Sequence, residues 1–574
     1  MGNTEEEERA REALLQTLNS QDKVAAPEPS TRGLRHVEAT KRRGRLWAES
    51  KRVLGLAVPI SLSEVVSFFA YLVTTAQVGH LGPLELSAIT LARSVFHITG
   101  LSLVVGMGSA VETFCGQAHG AGRHGALGVV LQRAVLLCLA TCCVPLALWT
   151  QADWIMLHVL GQRPEVVALA ARYVQLLGPA LCMWAVGTCI NSYLRSQAVV
   201  TPLTVVAVLH TALTPLVNHV FMFRLQLGMV GAAVAYNVLQ ALELALLLGA
   251  AVWLHTCRQT PATHTWRGFS RQALAGWGDY LGIALPSAAA ICLDWWTYEA
   301  VILIAGALPD AKVQLGAMGL AFNTHALLFM VVEGFGAAAS TRVSNELGAG
   351  RGAAARYAGL VALALGAAAP LLASGALVAA PRPWARLYTE DGAIVDLVAR
   401  LMPVLALSNI ADSVASVTSG VLRGSGRQEL AFKVNLGAYW LLGLPTAALL
   451  ALRYRQGAMG LWLAMGAASA LQAAILLGSM LHFDWPAEAR KAQERAHAAA
   501  EAEAADHRGA VAGAAAGLLA AAGGPGGAAE GEGEGGAAGQ AAEGEGPPRA
   551  PPLHAGMGSR HGVYEPLLTA EHVV

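Results

Sequence analysis

Seven carboxylic acids sit where charge is expensive. Asp294, Glu299, Glu333 and Asp412 fall inside long apolar runs of the second half of the sequence. Glu64, Glu112 and Glu243 lie in or at the ends of such runs in the first half. An Asp at the centre of a bilayer-spanning helix costs roughly 2.5–3.5 kcal/mol on insertion scales, so acids at that depth are functional candidates. The most pointed is Asp294, in Cys292-Leu-Asp-Trp295-Trp-Thr-Tyr298-Glu299. On a helix Asp294 shares a face with Tyr298, and Trp295 with Glu299. Asp294 and Glu299 are about 140° apart and need not address one cavity. A carboxyl beside aromatic rings in a low-dielectric span suits a proton carrier, which must load and unload near ambient pH. Asp412 would supply a second, coupled acid. The same chemistry, with Trp295, Tyr298 and Glu333 lining a cleft, would also hold an organic cation by charge pairing and cation–π contact. Proton site and substrate site therefore stay open as alternatives. The plainer alternative for each acid is a neutral carboxyl bonded to a neighbouring helix. Glu64 and Glu112 also read as solvated helix ends, and Glu243 as a packed core acid.

The elements that carry these residues are membrane helices. Of 574 residues 55% are hydrophobic and 14% charged, with 39 basic against 39 acidic residues; mean hydropathy is +0.47. A soluble domain has about 25% charged residues, so an ordinary soluble enzyme is excluded. The even charge balance excludes a generally basic nucleic-acid binder. Apolar run lengths and breaker residues predict twelve spanning helices, near 53–77, 86–113, 127–150, 165–190, 201–222, 229–254, 281–305, 314–338, 356–380, 396–419, 431–451 and 458–482. The expected organisation is a disordered tail over 1–50, a six-helix bundle over 51–255, a polar linker over 256–280, a second bundle over 281–486, and a low-complexity tail over 487–574 that starts helical. The polar first 46 residues argue against a cleaved signal peptide. The eight cysteines lie in or beside apolar segments without metal-ligand spacing and read as small core hydrophobes. No Gly-Lys-Ser/Thr occurs, which excludes a P-loop ATP motor. No nucleophile–base pair stands out, so an enzyme is not expected; nor is a resident cofactor or metal. Arg and Lys in the loops and tails place both termini on the cytoplasmic side. Tyr564-Glu-Pro-Leu567 fits a tyrosine-type sorting signal, although so short a match arises often by chance.

An internal repeat organises the spans. Gly106–Arg123 aligns with Gly334–Arg351 without gaps at an offset of 228, with eight identities in eighteen positions. The same offset pairs Leu194-Arg195 with Leu422-Arg423, and an offset of 229 pairs Gly228 and Gly231 with Gly457 and Gly460. A six-helix repeat keeps its topology, so the copies relate by an axis along the membrane normal. Transporters built this way place their substrate at the repeat interface near the midplane.

Together these residues resemble the multidrug and toxic compound extrusion (MATE) family, most closely its eukaryotic, plant-type branch, over residues 50–486. The resemblance is carried by Val78-Gly-His-Leu-Gly82, Thr99-Gly-Leu-Ser-Leu103, Thr113-Phe-Cys-Gly-Gln117, Cys292-Leu-Asp-Trp-Trp296 with Tyr298-Glu299, Ala338-Ala-Ser-Thr-Arg-Val-Ser-Asn-Glu-Leu-Gly-Ala-Gly350 and Ser419-Gly-Val-Leu-Arg-Gly424. It implies an all-α, polytopic fold of two six-helix bundles around a cleft that opens alternately to each side, and export of organic compounds in exchange for protons or sodium ions. By motif position it implies protons held by Asp294 and Asp412, with Glu299 and Asn323 as neighbours. Two departures stand out. The helix-seven motif usually has Glu where Asp294 stands. Helix eight has Met330-Val-Val-Glu333 where relatives carry a proline, which removes an expected kink. The competing classes are a flippase for a lipid-linked molecule, a sodium-coupled or uncoupled organic solute carrier, and a channel or receptor. The expected partners are a small organic substrate, the coupling ion and the lipid bilayer around a monomer, in the plasma or vacuolar membrane, without nucleic acid.

Overall fold

The computed structural model describes residues 31–260 and 262–501, the side chains of 31–42 and 311 excepted. The expectations for the first thirty residues, the low-complexity stretch beyond 501 and the Tyr564 signal lie outside the described residues. Among the described residues every regular element is helical. We number the spans α1 Thr31–Gly79, α2 Pro83–Gly120, α3 Ala126–Trp149, α4 (Pro164–Leu176 continued by Gly178–Ser196), α5 Thr201–Arg224 and α6 Gly228–Arg258. The second half follows as α7 Trp277–Gly306, α8 Ala311–Gly348, α9 Gly352–Ala379, α10 Gly392–Ser425, α11 Gln428–Arg453 and α12 Gly457–Leu481. A thirteenth helix, α13, covers 485–501. Among the described residues eleven helices are long and apolar enough to span a bilayer, and the two parts of α4, bent by 46°, make a twelfth if they form one span. The bend falls at Gly178-Pro179, where proline withholds the N–H that the helix would need. α8 runs unbroken across Met330-Val-Val-Glu333, as the missing proline predicts.

Two boundaries differ from expectation. α1 begins at Thr31, so residues 31–50 are helix rather than disordered tail. Ion pairs hold it there: Arg342 donates to Glu49 at 2.8 and 3.1 Å. The linker is shorter than predicted, because α6 runs to Arg258 and α7 starts at Trp277. The segment from 487 begins as helix, in α13. α13 buries Trp485, Glu488, Ala489, Ala492 and Ala496.

Large apolar side chains face outward around the spans: Leu216, Val252, Leu303, Leu372, Leu407 and Leu441 are each more than half exposed. In water such a belt would be a liability; in lipid tails it is the matching surface. Inside, the two halves exchange helices. The middle of α1 (Val53, Leu56, Ala57, Ile60) packs into a core with α8, α9, α10 and α13. The start of α7 (Tyr280, Ala284, Ala288) packs into the core of the first half.

The repeat is visible atom by atom at the crossing of α2 and α8. A side chain at Gly120 would collide with the carbonyl of Asn345, and one at Gly348 with the carbonyl of Gln117. Those positions exchange under the offset of 228. Thr113 Oγ1 donates to the Arg423 carbonyl at 2.6 Å, and its twin Thr341 to the Arg195 carbonyl at 3.3 Å. The duplicated Gly-Ala-Gly-Arg thus has two physical jobs. Its first glycine lets the helices touch backbone to backbone. Its second, Gly122 or Gly350, has φ of +70° or +74° and caps the helix: Arg123 N–H donates to the Ala118 carbonyl and Arg351 N–H to that of Glu346, each at 2.9 Å. This crossing closes the molecule at the end where both described termini lie, here called the terminal end.

Candidate functional site: an acid–histidine cluster and a charged cleft floor

Asp412 is the centre of a polar cluster inside the second bundle. It is 6% exposed. The Tyr439 hydroxyl of α11 approaches its Oδ1 at 3.5 Å, and Nε2 of His325 on α8 lies 3.8 Å from its Oδ2. The same His325 nitrogen is 3.1 Å from the Tyr298 hydroxyl of α7. Tyr439 also reaches Ser469 and Gln472 of α12, both at 3.0 Å. Gln472 passes the network to Asn435 at 2.6 Å, which donates to the Ala290 carbonyl of α7. Five helices therefore converge on one carboxyl.

His325 carries the cluster's unmet need. It is 3% exposed and wedged among the rings of Tyr298, Phe329 and Trp462. Its Nδ1 is buried with no hydrogen-bond partner. Neutral imidazole has one donor and one acceptor nitrogen, so in either tautomer one of them is unpaired here. An unsatisfied buried group costs about 1–3 kcal/mol. A group left in that condition beside a buried acid is suited to change its protonation, or to take a water or ligand, in another conformation.

The residues expected from sequence separate into three groups. Asp294 and Tyr298 share the face of α7 that addresses the cluster. Asp294 is half-buried, lies within electrostatic range of Asp412 and Glu333, and has no hydrogen-bond partner among the described residues. Glu299 is turned away: its oxygens are 3.3–3.4 Å from Ser94 of α2, in the first half. Trp295 likewise packs beside His97 of α2. Asn323 is not brought to Asp412; it is half-buried, two residues from His325 and so about 200° around the helix. His325 takes that place. In the sequence it is one histidine in an apolar run and was not among the expected site residues; the available signal is its i+3 and i−4 spacing from Phe322 and Phe329 on one helix face.

Glu333 belongs to a second network at the cleft floor, just above the α2–α8 crossing. Arg423 Nη2 is 3.6 Å from Glu333 and its Nε 3.4 Å from Glu112 of α2. Ser416 donates to Glu333 at 3.4 Å. The repeat twin of Arg423, Arg195, donates to Glu64 at 3.0 Å. Beyond Glu64, Glu243 meets Gln240 at 3.2 Å and His210 at 3.5 Å. The floor so pairs three acids, Glu64, Glu112 and Glu333, with two arginines. It spans both halves and is net acidic. Among the described residues no cluster of His, Cys, Asp or Glu has metal-site geometry.

Two parallel six-helix repeats, exchanged helices and buried acids at their interface define a multi-pass membrane transporter, not an enzyme. The MatE family model matches the chain twice, over residues 59–220 and 286–449, one match per repeat. Protein DETOXIFICATION 16 of Arabidopsis thaliana is 34% identical over 448 residues, covering 78% of this chain and 91% of the relative. Multidrug and toxin extrusion protein 1 of Homo sapiens is 34% identical over 450 residues, covering 78% and 77%. The crystal structure of the eukaryotic MATE transporter AtDTX14 superposes with a TM-score of 0.74 at 32% identity, covering 79% of this chain and 99% of that one. The chain belongs to the MATE family of multidrug and toxin extrusion transporters and is of the plant type.

Proposed function

We propose that this transporter exports organic compounds, cationic ones among them, in exchange for protons. The observation that carries the reading is the Asp412–His325–Tyr298 cluster. It offers two titratable groups sharing one buried space. A sodium site asks instead for a cage of several oxygen ligands, and at Asp412 the nearest titratable neighbour is an imidazole. The net-acidic cleft floor favours cationic cargo and argues against the anionic, lipid-linked cargo of a flippase.

In the mechanism, the conformation closed at the terminal end holds Asp412 and His325 against Tyr298 and Tyr439. Proton gain at Asp294 or Asp412 removes charge from the cluster and relaxes the hold of α7 and α8 on each other. Proton loss on the other side restores the charge that attracts substrate. Each pH unit of gradient supplies about 1.4 kcal/mol per proton. With the arginine-rich terminal end facing the cytoplasm, the closed end is the cytoplasmic one and export runs outward across the plasma or vacuolar membrane.

The test is the purified protein in liposomes with an imposed pH gradient, a fluorescent organic cation and a protonophore control. Gradient-driven uptake is expected, falling at least tenfold in Asp294→Asn and in Asp412→Asn. Uptake that ignores the gradient and survives both substitutions would overturn proton coupling.

A further inference from the structure

A cavity of about 460 Å³ lies at the terminal end, between residues 45–52 of α1, the end of α8 and the start of α9. Its walls hold four arginines (Arg45, Arg52, Arg342 and Arg351), two glutamates (Glu49 and Glu346) and Tyr357. The charges form a chain. Arg52 donates to Glu49 at 3.3 Å. Glu49 accepts from Arg342 at 2.8 Å, Arg342 donates to Glu346 at 2.8 Å, and Glu346 accepts from Arg351 at 2.6 Å. The middle of the chain is buried and satisfied. Both ends are not: the side chains of Arg52 and Arg351 are 63% and 61% exposed, each with donor nitrogens left over. Arg45 has no carboxylate at all among the described residues and rests over the ring of Tyr357, 5.6 Å from its centroid. Four positive charges against two negative leave a surplus of two, aimed into one opening.

We propose that this cavity binds the headgroup of an anionic phospholipid, its phosphate held by Arg45, Arg52 and Arg351. Two observations favour a lipid over a soluble anion. The cavity sits at the membrane end of α1, whose remaining circumference exposes Leu46, Trp47 and Leu54; a tryptophan at this level marks the headgroup zone. The residues just before it continue the positive charge, with Lys41, Arg42 and Arg43 in the sequence. Juxtamembrane basic segments gain about 1 kcal/mol per Lys or Arg from an anionic leaflet. A headgroup seated here would tie residues 45–52 of α1 to the end of α8, the helix that carries His325 and Glu333. This site does not depend on the coupling ion or the cargo.

The experiment is binding of a fluorescent phosphatidylserine to the full-length protein in phosphatidylcholine vesicles. It compares wild type, Arg45→Gln/Arg52→Gln, and a control, Arg43→Gln/Lys51→Gln, which removes the same charge outside the cavity. The expected result is roughly 5- to 30-fold weaker binding in the cavity variant, a clearly smaller loss in the control, and no competition by millimolar inorganic phosphate. Circular dichroism of all three checks the fold, and both altered arginines are exposed. Equal loss in the two variants would overturn the site in favour of diffuse surface charge. Unchanged binding in the cavity variant would overturn it outright. Displacement by inorganic phosphate would overturn the lipid assignment in favour of a soluble anion.

Discussion

His325 and Arg423 each have more than one partner, and the partners decide what removal of the side chain does. His325 contacts Tyr298 and Asp412 at once and has one ring nitrogen unpaired. His325→Gln keeps a hydrogen-bonding side chain but cannot carry a proton. Transport is expected to survive with a narrower pH range and a rate reduced roughly 10- to 100-fold, read from initial uptake rates between pH 5.5 and 8.5. A structural role alone would lower the rate equally at every pH. Arg423 faces Glu112 and Glu333 together. Arg423→Met strands two carboxyls and is expected to cost about 3–5 kcal/mol. Glu333→Gln leaves Arg423 with Glu112 and should cost far less, as thermal melting in detergent would show. The acids themselves were readable in the sequence, because charge in an apolar run declares itself. Their company was not. Asn323 and His325 lie two residues apart, and nothing in composition says which one the packing of α7, α10 and α12 turns inward. Helix geometry separates Glu299 from Asp294 by about 140°, but nothing in the sequence names Ser94 of α2 as the partner it meets.

Among the elements, the twelve spans and their duplication follow from run length and from one eighteen-residue match. A lipid-facing helix must be long and apolar wherever it sits. The ends were harder. The helical start of α13 was expected, but its docking was not, and α1 is helical from Thr31; long-range partners such as Arg342 for Glu49 and Arg427 for Glu488 leave no periodic mark. The α2–α8 crossing has a sharp test. Gly120→Leu and Gly348→Leu each push a side chain into a carbonyl of the opposite half, and each is expected to destabilise by about 1–3 kcal/mol. The pseudo-symmetry predicts similar costs; a melting shift confined to one of the two would contradict it. α13 answers to pH. Burial pushes the Glu488 carboxyl up, but the hydrogen bond and charge of Arg427, with Lys491 at 3.5 Å, outweigh it and hold it below the usual range. A depressed carboxyl contributes stability that is complete above its unfolded value of about 4.3 and is lost as pH falls through the lower folded value. Docking of α13 is therefore expected to be constant from neutral pH to about 5 and to loosen below about 4. Fluorescence of Trp485, buried in this helix, would report it, and Glu488→Gln should loosen docking at neutral pH as well.

At the scale of the whole molecule, α13 also spans the two halves. Arg495 donates to Gln117 of α2 at 2.9 Å and to the Ser425 carbonyl at the end of α10 at 3.3 Å. His497 lies 3.0 Å from Arg123. The helix after the last span thus crosses the seal between the repeats, and opening this end must break its contacts. Arg495→Ala is expected to speed reaction of a cysteine placed at Ser425, which is fully buried, with a membrane-impermeant thiol reagent. An unchanged rate would show that the glycine crossing alone closes this end. The charged floor, the cluster around Asp412 and the seal lie on one path through α8.

The account stands on one exchange, protons against substrate through the acid–histidine cluster. The most direct measurement loads proteoliposomes with a pH-sensitive dye, clamps the membrane potential, imposes no pH gradient, and adds an organic cation outside. Substrate entering must drive protons out, so the lumen is predicted to turn alkaline with wild type and to stay level with Asp412→Asn. Substrate that accumulates inside wild-type vesicles while the dye stays level would contradict the account.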